Sequence, residues 1–269
     1  MTHAQRATLE IASLLFRIAE RSDGRVRIAR SVADIRAAKA AGAHSPVLHI
    51  EGCETLDADL KMLDVLYAAG LRSLGPVWSR SNIFGHGVPF RYPSSPDTGD
   101  GLTELGTALV KRCNEMRVLV DLSHMNEKGF WDIAKLSNAP LVASHSNAHA
   151  LCASSRNLSD KQLAAIRETG GLVGVNYAVG FLRTDGRRIS ATPLDTVVDH
   201  IAYLVDRLGE DGVGLGSDFD GATMPEELHS AAGLPNLVAA MRARQFGEPL
   251  IEKICFENWM RVLARTWGE

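Results

Sequence analysis

Nowhere in the 269 residues does an apolar run approach the roughly 20 residues that a membrane-spanning helix needs. An excess of basic charge is missing too. Lys and Arg number 29 against 32 Asp and Glu, the net charge is −3 and the pI about 6.3, so no nucleic-acid partner is expected. Cys53, Cys113, Cys152 and Cys255 are far apart and form no Cys-x-x-Cys pair. That disfavours thiolate zinc and dithiol redox chemistry and indicates no disulfide framework, leaving buried, idle thiols. A clean leader is lacking as well: the opening "MTHAQRATLEIASLLFRIAERSDG" sets Arg6, Glu10 and Arg17 among its apolar residues. It reads as an amphipathic helix with its stripe at Leu9, Ile11, Leu14, Leu15 and Ile18, and a cytoplasmic location is expected. No G-x-G-x-x-G follows a strand, which disfavours a dinucleotide-binding sheet. With no linker or internal repeat, residues 1–269 read as one domain.

What is present is an alternation. Short, near-continuous apolar runs at 47–51, 72–77, 118–122, 141–144, 172–176 and 212–217 read as parallel strands covered by helices. The helices between them have legible ends. Residues 56–69 carry Leu60, Leu63 and Leu66 on one stripe and stop at Gly70. Ser159 and Gln162 spell a capping box before "LAAIRET", which ends at Gly170 and Gly171. Thr192-Pro193 predicts an N-cap with Pro at the first helical position of a helix running to Leu208. Such alternation implies βα units and an α/β fold, a (β/α)8 TIM-type barrel in preference to an open doubly wound sheet. Residues 78–101, rich in Gly, Pro and Ser, form a long loop of the kind that serves as a lid or stays disordered.

In a parallel barrel, catalytic side chains project from the C-terminal ends of the strands. Those positions hold Glu51, Trp78, His124, His145, Asn176 and Asp218. Two imidazoles and two carboxylates suit zinc, or else manganese, cobalt or iron. Each has a bland alternative: a histidine satisfied at a strand end, a glutamate capping a helix, an aspartate serving a turn. Their coincidence at four equivalent positions favours one metal site, because burying such groups without a cation is costly.

The segments "HIEG", "VDLSHMNEKGFWDIAKLSNAPLVASHSNAHALCASSRNLSDKQLAAIRETGGLVGVN", "VGLGSDFDG" and "FENWMRVL" resemble the membrane (renal) dipeptidase family of zinc peptidases, in the amidohydrolase superfamily. The resemblance runs from about residue 8 to the C-terminus. It implies a distorted (β/α)8 barrel with two zinc ions, a dipeptide-like small-molecule substrate, and often a homodimer. Carried onto this sequence, it gives Glu51 as the bridging carboxylate and His124 and His145 as ligands of one zinc. Arg156 becomes the residue that binds the substrate carboxylate, and Asp218 the one that takes the proton from the attacking water. Asn176 and Trp78, at strand ends, are candidate substrate contacts.

The sequence departs from that family twice. Family members begin with a strand ending in His-x-Asp, and here "MTHAQ" has Gln5 in the aspartate position. The first two barrel strands are therefore expected to be missing, in keeping with six strand candidates. One zinc rather than two is then expected, as is an open, aggregation-prone edge. A misplaced start or a truncation explains this more simply than an evolved minimal enzyme. Trp78 also stands where the family has a carbonyl-polarising histidine, and His86 or Arg80 could replace it. The expected function is zinc-dependent hydrolysis of dipeptides or related amides. The alternatives are an impaired remnant or pseudoenzyme, and a lactam or lactone hydrolase.

Overall fold

The computed structural model describes residues 1–268. Two helices, α1 (His3–Arg21) and α2 (Val32–Ala40), precede the first strand, β1 (Leu48–Glu51). Strands and helices then alternate as α3 (Lys61–Ala69), β2 (Leu71–Gly75), α4 (Glu104–Met116), β3 (Leu119–Val120), α5 (Glu127–Leu136), β4 (Val142–Ser146), α6 (Asp160–Glu168), β5 (Leu172–Val175), α7 (Leu194–Leu208) and β6 (Val213–Leu215). The chain closes with α8 (Leu234–Ala243), α9 (Glu248–Glu252) and α10 (Asn258–Trp267).

The strands form two parallel three-stranded sheets, β1-β2-β3 and β4-β5-β6. A parallel bridge between Asp121 and Val142, with the Leu122 amide donating to the Val142 carbonyl at 2.8 Å, joins them at β3 and β4. Spatial order thus follows chain order from β1 to β6. Among the described residues, β1 pairs within its sheet only with β2, and β6 only with β5. A cavity of about 540 Å³ is lined by Glu51 of β1, Ser73 of β2, Leu119 of β3 and His145 of β4, with Trp259 and Met260 of α10.

Each sheet is packed by the helices that connect its strands. Leu63 and Leu66 of α3 and Leu109 of α4 bury against Leu71 and Leu74. Leu163 and Ile166 of α6 and Val197, Ile201 and Leu204 of α7 bury against Val173, Val175 and Val213. All four cysteines are free thiols, and burial pushes Cys113 up to about 12.

Three sequence readings change. The helix expected from residue 56 begins at Lys61, because the Asp57 carboxylate accepts from the Lys61 and Met62 amides and sets the first turn there. Thr192 caps nothing: its hydroxyl donates to the Ile189 carbonyl, and Pro193 takes the cap position. The α1 stripe is divided, with Leu15 and Phe16 packed inward while Leu9, Ile11, Leu14 and Ile18 are exposed. The loop at 78–101 forms no helix or strand, yet it is anchored through buried Phe84 and Val88. Among the described residues no helix is long and apolar enough to cross a membrane.

Candidate metal centre

Glu51 ends β1, His124 follows β3 and His145 lies in β4, so three segments spread along the sequence deliver their side chains to one point. Glu51 Oε1 is 3.0 Å from His124 Nε2 and 3.1 Å from His145 Nε2, and the two ring nitrogens are 3.1 Å apart. A tetrahedral zinc with bonds near 2.0–2.1 Å separates its donors by about 3.3 Å. The triangle is within a few tenths of an ångström of that size. Its chemistry agrees. Burial alone would raise the Glu51 carboxyl, but the His124 and then the His145 rings beside it outweigh that and hold the group below the usual carboxylate range. Burial, then the Arg156 charge, depresses His124 to about 3. An ionised carboxylate beside a neutral imidazole is what a divalent cation requires.

Two of the neighbouring residues have unusual backbones. His124 (φ 68°) and Asp218 (φ 57°) both occupy the left-handed region without being glycine, which costs of order 1–3 kcal/mol each and clusters at functional sites. Asp218 accepts a hydrogen bond at Oδ2 from Asn176 Nδ2 at 2.9 Å. Asn176 is fully buried and is itself held by Asn147 and by the Ala178 amide.

Arg156 is 3% exposed. One terminal nitrogen lies 3.4 Å from His124 Nε2 and donates to the His145 carbonyl at 3.2 Å, while its Nε has no partner among the described residues. Trp78, its ring 5.8 Å from that of His124, walls a second cavity of about 290 Å³ with Phe90, Phe181, Arg188 and Thr223. Glu51 and Asp218 line both cavities. His86 is not brought to this cluster. It pairs with Ser81 inside its own loop and, like Arg156 and Asn176, lines neither cavity, and Arg80 turns to Glu54.

Sequence reasoning missed Asp121, Ser144 and Ser79. Ser144 Oγ and Ser79 Oγ lie 2.7 Å from Nδ1 of His145 and His124 respectively, and Asp121, 1% exposed, bonds to Ser144. A carboxylate inside the apolar run "VLVDL" was a readable signal for Asp121. Nothing in the sequence marked Ser79.

Residues 2–267 match the membrane dipeptidase family (Peptidase family M19). The chain belongs to that family. Its fold is similar to that of a Rhodobacter sphaeroides metallo peptidase solved with a phosphinate mimic of the dipeptide L-Ala-D-Ala. The TM-score is 0.97 at 54% identity, covering 98% of this chain and 75% of that one. A Klebsiella pneumoniae protein named only for its place in the pqqA 5′ region is 50% identical over 257 residues, 96% of this chain and 95% of its own length. The dipeptidase tcpJ of Claviceps purpurea is 30% identical over 98% of this chain, which spans 60% of that relative. The membrane dipeptidase family is thus established here by sequence and fold together.

Proposed function

We propose that this chain hydrolyses dipeptides, using water activated at one zinc ion held by Glu51, His124 and His145. The observation that carries the proposal is the 3.0–3.1 Å triangle of one carboxylate oxygen and two imidazole nitrogens. Three protein donors with one open position is the usual inventory of a catalytic zinc. When bound, the cation supplies Lewis acidity and brings the pKa of a coordinated water to about 7. The residues around it divide the remaining work. Asp218, held through Oδ2 by Asn176, takes the proton and returns it to the leaving amine. Arg156, with its free Nε, offers a planar fork to the terminal carboxylate of the substrate. Trp78 and Phe90, edge to face at 5.4 Å, wall the cavity that receives the dipeptide and keep water from it.

Two finer readings accompany this. The six strands are read as six of the eight of a (β/α)8 barrel, with β1 and β6 as the edges that two further strands would join. His86 is given no part in this reading, since it pairs with Ser81 in its own loop. The test is a panel of dipeptides that includes L-Ala-D-Ala, the ligand mimicked in the Rhodobacter enzyme. Zinc is titrated into metal-free protein. Hydrolysis that rises with zinc and saturates supports the proposal, and zinc bound without turnover of any dipeptide overturns it.

A further inference from the structure

Asp121 is an unusual residue for the end of a buried strand. Its carboxylate is 1% exposed. Oδ1 accepts from the backbone amides of Ser123 at 3.0 Å and Ser144 at 2.7 Å, and Oδ2 accepts from the Ser144 hydroxyl. Those two serines immediately precede His124 and His145. Ser123 Oγ in turn accepts the His145 amide at 3.0 Å. One buried carboxylate therefore ties together the two segments that carry the imidazoles.

The direction of the hydrogen bonds matters more than their number. A hydroxyl has one proton, and Ser144 gives it to Asp121. Its oxygen, 2.7 Å from His145 Nδ1, can then only accept from that nitrogen. Nδ1 must carry the ring proton, which leaves Nε2 with a lone pair facing Glu51 and the centre of the triangle. We propose that Asp121, acting through Ser144, is the positioning residue of the metal centre, fixing the His145 tautomer and aiming its Nε2 at the cation. This rests on the reading of Glu51, His124 and His145 as ligands. It is the arrangement in which an outer carboxylate orients a metal-bound histidine, here with a serine interposed. Ser79 makes the matching contact to His124 Nδ1 at 2.7 Å.

A purely structural Asp121, serving only to cap two amides, makes a different prediction. In Asp121→Asn the side chain keeps its shape and an oxygen for the two amides, but it presents an N–H₂ to Ser144. The serine then turns its proton toward His145 Nδ1 and drives the ring proton to Nε2, against the cation. The experiment measures zinc affinity of the full chain by competition with a chelating indicator. Histidine-labelled nitrogen NMR of the metal-free protein reads the tautomer. Asp121→Asn is expected to bind zinc about 10–100-fold more weakly, with His145 protonated at Nε2. Ser144→Ala, which leaves both amide caps in place, should weaken binding similarly, while Ser144→Thr, which keeps the hydroxyl, restores it. Unchanged zinc affinity in Ser144→Ala, or a wild-type His145 protonated at Nε2, overturns the inference, even if Asp121→Asn does not fold. Because affinity and tautomer are the readouts, failure to hydrolyse dipeptides counts against the proposed function and leaves this inference standing.

Discussion

At Asp218 the backbone is left-handed, the carboxylate lines both cavities and the Asn176 amide occupies one oxygen; in the proposed function the other oxygen carries the proton. Asp218→Asn is therefore expected to lower kcat/KM by about 10²–10⁴-fold, with zinc affinity changed only a few-fold. Loss of zinc together with activity would instead place Asp218 among the ligands. For Arg156 the discriminating measurement uses two substrates. Arg156→Lys removes the planar fork and should cost about 10–100-fold in kcat/KM on a free dipeptide, but little on the same dipeptide with its carboxyl amidated. Residue type at strand ends was enough to place Glu51, His124 and His145 in one cluster from the sequence, because a parallel sheet forces those positions to one face. Asp121 and Ser144 escaped because their partners are set by side-chain direction within the strand and by which proton a hydroxyl gives away. Neither is a property of spacing. His86 was drawn in as a loop substitute for the family histidine that Trp78 replaces, and the loop sets it against Ser81.

Among the elements, β5 and the segment just after β6 approach the Ser144 carbonyl closely only because they carry glycine there. A Cβ built on Gly174 or on Gly216 would lie 2.0 Å from the Ser144 carbonyl oxygen. Gly216→Ala should push Ser144 aside, loosening zinc binding more than a surface Gly→Ala change does. Chelator competition on the two variants checks this. Helix α7 contributes a second device. His200, 1% exposed, accepts the Ala148 amide at Nδ1 (3.2 Å) and donates from Nε2 to the Leu182 carbonyl (3.0 Å), pinning the loop that follows His145. Burial lowers it from 6.5 to about 4. As pH falls below about 6.5 the unfolded chain takes up a proton that the folded chain refuses until about pH 4. Stability is therefore lost over that window, by about 3 kcal/mol for this group. Denaturant unfolding of metal-free protein from pH 7 to 4 should show a shallower decline in His200→Gln than in wild type, and equal slopes would remove His200 from the explanation. Apolar runs and capping residues made the strands and α6 legible in advance. The starts of α3 and α7 were not, because Asp57 and Thr192 chose hydrogen-bond partners that only the folded loop supplies, whereas their stops at Gly70 and Gly209 were read correctly.

For the whole molecule, the candidate metal centre is a tie between two sheets. Glu51 belongs to the first, His145 to the second, and His124 follows the strand where they join. A cation bound there and not to the unfolded chain stabilises the fold by mass action, by about 2.7 kcal/mol at a hundredfold excess over Kd. Thermal unfolding should shift upward with zinc and return with chelator. The shift should be absent in Glu51→Gln, where one acid of the triangle is neutralised without loss of volume. The most direct single measurement is zinc bound per chain and L-Ala-D-Ala hydrolysis followed in the same titration, with His145→Ala alongside. One equivalent of zinc, turnover proportional to occupancy, and loss of both in the variant are the predicted result. Hydrolysis by metal-free protein, or zinc held as tightly by His145→Ala as by wild type, would contradict it.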